Sequence, residues 1–155
     1  MEAIWTSAVA VGGTLMGVVI THLFQRGASR RAELFARAEA LRQERIATYT
    51  AFASALEDYR HGQAGRWYHK VRDPDGEAFV AARDEAHRLR AATRQALYRV
   101  KLLTGDRDVV LAAERAYGCT RDVSTAEDQE TRDALDSRAR DAIETFVTRA
   151  AALVR

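Results

Sequence analysis

Two carboxylate–histidine pairs open the question of chemistry. Asp58 and His61 stand three residues apart, and so do Asp84 and His87. On a helix, side chains three apart share a face. Two such faces turned toward each other resemble the way helical bundles hold paired metal ions, although those sites use glutamate and add a carboxylate from each of two other helices. Glu114 and Glu144 are the carboxylates that could be nominated. The periodicity argues against it. If Ala86 and Leu89 face inward, Asp84 falls about 200° round the helix from Ala86 and faces water. His61 stands beside Gly62 at an expected helix end. No metal and no cofactor are expected.

The remaining reactive side chains are sparse. Cys119 is the single cysteine, so no internal disulfide can form, and a reducing compartment fits. No activating base is evident near it, which leaves a small buried or half-buried side chain as its reading. Trp67, Tyr68, His69 and Lys70 form an aromatic–basic cluster. Such a cluster could dock a partner, a phosphate or a membrane surface; equally, its aromatics could close the end of a bundle, and closure is the preferred reading. No dinucleotide fingerprint, phosphate loop, HExxH or nucleophile elbow is present. The sequence supports no catalytic activity, and a non-enzyme is expected.

The elements that would position these residues begin with Ala3–Phe24, which passes without a formal charge. As a helix this run reaches roughly 33 Å, enough for a hydrocarbon core of about 30 Å. The expectation is a transmembrane helix over 3–24 in the inner (plasma) membrane. Trp5 would lie at the outer interface, with Arg26, Arg30 and Arg31 at the cytoplasmic exit and His22 near the inner end. That places the N-terminus outside and the C-terminal domain in the cytoplasm, with the lipid bilayer as a partner. Within the run, Ala10, Gly13, Gly17 and Thr21 form a small-residue stripe suited to helix pairing, and hence to self-association.

Beyond it, residues 25–45 read as a charged helical stalk with a thin apolar seam, Leu34, Ala38 and Leu41. Residues 46–155 read as a helical bundle. Formal net charge is only +2, which argues against nucleic acid as a partner. Arginine far outnumbers lysine, present only as Lys70 and Lys101, and asparagine is absent.

Apolar residues recur at helical spacing along the bundle. One stripe holds Ile46, Tyr49, Phe52, Ala53, Leu56 and Tyr59, and fades at Gly62 and Gly65. Residues 61–76 then read as a long connection. Asp73-Pro74-Asp75 signals a new helix start. A second stripe runs from Phe79 to Leu103 and stops at Gly105 as a helix C-cap. Asp106 would cap a third helix that weakens at Gly118. Ser124 and Glu127, at capping-box spacing, would open a fourth with Leu135, Ala139, Ile143 and Phe146 on one face. The expected fold is all-α: one transmembrane helix, then an antiparallel bundle with helices near 28–61, 75–104, 106–120 and 125–154.

The plan resembles that of small, uncharacterised single-span proteins of high-GC bacteria. The glycine-bearing N-terminus, the arginine-rich exit, ERIATYTAFASALEDY and RVKLLTGDRDVVLAAERAY carry the resemblance. It implies no activity and transfers no site residue. The functional expectation is a membrane-anchored interaction or scaffold module with an unidentified protein partner. The alternative is a small membrane-active effector that assembles through its glycine-faced span.

Overall fold

The computed structural model describes the backbone of residues 2–155 and the side chains of residues 32–155. Four α-helices follow one another: α1 (Glu2–Arg72), α2 (Glu77–Leu103), α3 (Arg107–Asp122) and α4 (Gln129–Ala152), with one 3-10 turn, Val123–Thr125, between α3 and α4. Among the described residues there is no strand, and the all-α expectation holds. The chain divides into two compact units, Met1–Gln43 and Glu44–Arg155.

The membrane part of the expectation is corrected. Among the described residues no helix is long and apolar enough to cross a membrane. The expected transmembrane helix, the single-pass topology and the inner-membrane localisation are therefore withdrawn. The expectation rests on absence of charge, which is a weaker property than apolarity. The side chains of the pairing stripe (Ala10, Gly13, Gly17, Thr21), of His22 and of the flanking residues Trp5, Arg26, Arg30 and Arg31 lie outside the described residues.

In the first unit, Leu34, Phe35 and Leu41 are exposed. In the second, the direction of each helix follows from its contacts with α1. Thr93 of α2 donates its hydroxyl to the carbonyl of Ala55 at 2.9 Å, while Leu89 lies against Gly62 seven residues further along α1. Phe146 of α4 meets Phe52 edge to face with centroids 5.0 Å apart, while Asp136 meets Arg60. Both α2 and α4 therefore run antiparallel to α1. Asp108 of α3 pairs with Arg149 of α4 at 3.7 Å, and Glu114 pairs with Lys101 of α2 at 2.7 Å. The result is an up-down-up-down bundle.

The core register is regular. Tyr49, Phe52, Leu56, Tyr59 and Gln63 are buried on α1, and Asp136, Ala139, Ile143, Phe146 and Ala150 on α4. Both series step by three and four, the spacing that keeps a seam facing its partner helix. On α3 the inward face is Val109, Ala112, Ala113 and Ala116. These small side chains let α3 approach its neighbours closely.

Several element boundaries differ from expectation. There is no long connection at 61–76: α1 continues to Arg72. Glycine costs a helix only about 1 kcal/mol, and the burial of Gln63 and Trp67 beyond Gly62 outweighs that. The turn that follows is short, with the Gly76 N–H donating to the Asp73 carbonyl at 3.3 Å; α2 starts at Glu77 with Gly76 as its N-cap. Helix α2 ends at Thr104, whose N–H reaches the Val100 carbonyl, and no described residue takes a positive φ; Gly105 makes no left-handed cap. Asp106 caps α3 as expected, accepting from the N–H groups of Asp108 and Val109. Gly118 lies inside α3. For α4 the cap is Asp128, which accepts from the Thr131 N–H at 2.7 Å, and Ser124 is buried in the turn before it.

Candidate functional site

The buried polar groups of the bundle gather around Arg60. Its residue is 9% exposed and its partner Asp136 7% exposed. Arg60 Nη1 donates to Asp136 Oδ1 at 2.6 Å. Its Nε and Nη2 both donate to Glu57 Oε2, at 2.9 and 2.8 Å. The second oxygen of Asp136 accepts from Arg140 Nη2 at 2.7 Å. Burial by itself would raise the Asp136 carboxyl, but the bonds from Arg60 and Arg140 outweigh it and hold its pKa below the ordinary carboxylate value. Likewise burial opposes the charge on Arg60, and the Asp136 and Glu57 carboxylates more than restore it. The network is satisfied internally. It fixes how α1 and α4 are mated.

The aromatic–basic cluster divides between inside and outside. Trp67 is buried; its Nε1–H donates to the Ala126 carbonyl at 2.8 Å, and the Arg132 guanidinium lies 5.5 Å from the ring centroid. Tyr68 and Lys70 are exposed, and His69 is half-buried with its ring 5.4 Å from that of Tyr68. Gln63, one turn before Trp67, donates Nε2–H to the Arg121 carbonyl at 2.6 Å. Two side chains of α1 thus hold the last turn of α3 and the α3–α4 connection by their backbone.

The carboxylate–histidine pairs are not brought together. His61 is exposed, with Nδ1 2.8 Å from its own helix carbonyl at Glu57. Asp84 is exposed and pairs with its neighbour Arg83 at 3.3 Å. Glu114 is engaged with Lys101. Among the described residues no group of three histidine, cysteine or carboxylate side chains could hold a metal ion. Cys119 is half-buried and free. His87 lines a basic cavity together with Lys70.

A separate apolar groove of about 260 Å³ lies between α1 and α4. Ile46, Tyr49 and Ala53 form one wall; Phe146, Val147 and Ala151 form the other. Val147 is 40% exposed. The Tyr49 hydroxyl is buried there without a hydrogen-bond partner among the described residues. Such a group costs about 1–3 kcal/mol while it stays unpaired.

Sequence reasoning misses Arg60, Gln63 and Asp136 as core residues. The signal was present: Asp136 falls on the three–four register of Ala139, Ile143 and Phe146, where a carboxylate has no place unless a cation meets it.

Fold and site together define an all-α bundle built to mate helices around an internal ion pair. The chain belongs to the KilB plasmid transfer protein family, whose model matches residues 46–154. That match spans the bundle from the first wall of the groove to the end of α4. No curated protein and no solved structure matches the chain.

Proposed function

We propose that the bundle is a non-catalytic interaction module that serves plasmid transfer by associating with a second copy of itself. The apolar groove between α1 and α4 carries this reading. Its walls combine small side chains, Ala53 and Ala151, with a protruding Val147. A face that carries both a ridge and a hollow is complementary to its own copy under a two-fold axis. An apposed copy would also bring polar backbone or side-chain groups within reach of the unpaired Tyr49 hydroxyl. The family's description supplies the process, plasmid transfer, and self-association supplies the act.

Sedimentation of the full chain across a concentration series tests this. A reversible monomer–dimer equilibrium is expected. Val147→Arg should shift it to monomer with an unchanged helical circular dichroism spectrum, and should lower transfer frequency when it replaces the wild type in mating cells. A monomer at every concentration, or a dimer indifferent to Val147→Arg, rejects the reading.

A further inference from the structure

A second concavity, which shares no residue with the groove, has the opposite chemistry. It is an open hollow of about 380 Å³. From α1 come Arg66 and Lys70, from α2 Arg90 and His87, and from the end of α3 Arg121. No carboxylate lines it. Arg121 has an acidic neighbour, Asp122, at 2.9 Å, outside the cavity wall. Arg90 has only a long contact to the Tyr117 hydroxyl, 3.4 Å. Arg66 and Lys70 pair with no carboxylate among the described residues.

Three hydroxyl side chains, Tyr59, Ser124 and Thr125, also line it, and Thr125 donates to the Asp122 carbonyl at 2.6 Å. Tyr59 is 1% exposed and Ser124 9% exposed, and both line the cavity. Neither the Tyr59 nor the Ser124 hydroxyl has a hydrogen-bond partner among the described residues. Burial, with Tyr117 adding to it, raises the Tyr59 phenol to about 12, and the positive charges of Arg90, Arg121 and Arg66 oppose that rise. Three guanidiniums, from α1, α2 and α3, thus line the same cavity as the Tyr59 phenol.

Cations held this way repel one another, and an anion between them relieves the repulsion. Guanidinium forks match phosphate oxygens two at a time, and buried hydroxyls supply further donors. The volume lies near the low end of small-ligand sites, about 300–1,000 Å³. The charges close around one hollow; they do not run along a ridge, as a nucleic-acid backbone requires. We propose that this cavity binds the phosphate group of a small phosphorylated ligand, of nucleotide size or less.

Calorimetric titration of the full chain with pyrophosphate, and separately with ATP, tests the site. Saturable binding to one site per chain is expected for at least one of them. The double variant Arg66→Gln/Arg90→Gln should weaken it by about tenfold or more, the loss of one or two charge-assisted hydrogen bonds. Arg94→Gln, which removes an exposed charge outside the cavity, should leave affinity within about twofold of wild type. Unchanged circular dichroism shows that the double variant is folded. No saturable binding of either probe overturns the proposal, as does equal weakening by Arg94→Gln. Tighter binding of a duplex oligonucleotide at the same ionic strength, lost in the double variant, overturns it in favour of nucleic acid.

Discussion

Arg60 and Asp136 are coupled so tightly that neither is replaceable alone. Asp136→Ala leaves a buried guanidinium with Glu57 as its one remaining carboxylate partner, and should cost about 3–5 kcal/mol in urea unfolding. The double change Arg60→Met/Asp136→Leu removes both charges, fills similar volume, and should recover most of that loss. The pair also sets an acid limit. The folded carboxyl titrates below its ordinary value of 3.8. A lowered folded pKa contributes stability that is fully present above the unfolded value and is lost as pH falls through the folded one. Wild-type stability should therefore drop as pH falls below about 4, and the doubly apolar variant should show a shallower drop over the same interval. A steeper or equal drop in that variant would place the acid sensitivity elsewhere.

At the scale of the helices, the apolar stripes were legible and the ends were not. Every stripe residue named on α1 and α4 within the bundle is buried or half-buried, from Tyr49 and Phe52 to Ile143 and Phe146. Burial follows hydrophobic periodicity, a property summed over many residues, so single exceptions do not erase it. Boundaries depend on one or two residues whose local preference tertiary contacts can override. Gly62 and Gly65 read as a helix end, yet the helix passes through them because Gln63 and Trp67 are anchored on the last turn of α3 and the α3–α4 connection. These glycines are then helix-interior residues with an entropic cost. A Cβ at Gly65 or at Gly118 would meet nothing within 4 Å, whereas one at Gly62 would fall 2.5 Å from Leu89 Cδ1. Gly65→Ala and Gly118→Ala should each add about 0.5–1 kcal/mol and raise Tm. Gly62→Ala should gain less, because Leu89 must move; calorimetry of the three variants checks the ranking. The cavity could not be read at all: Arg66, Lys70, Arg90 and Arg121 share no spacing that sequence can display, and only the bundle's handed packing gathers them.

For the molecule as a whole, the second unit, Glu44–Arg155, is compact by itself and nearly coincides with the family match at 46–154. A fragment of residues 44–155 should give a helical circular dichroism spectrum and one cooperative thermal transition. A broad, non-cooperative melt would show that the bundle needs residues before 44. The pairing of first helix with last has a consequence for how the chain is made. Arg60 and Asp136 are separated by 76 residues, and Phe52 must wait still longer for Phe146. At about 5–20 residues per second, a ribosome takes roughly 4–15 s to deliver Asp136 after Arg60. Throughout that interval α1 is a nascent helix with its aromatic seam uncovered and a cation awaiting its counter-charge. The bundle can close on α1 only after α4 has left the ribosome. The emerging chain is thus a natural client for chaperones that shield apolar helices at the ribosomal exit.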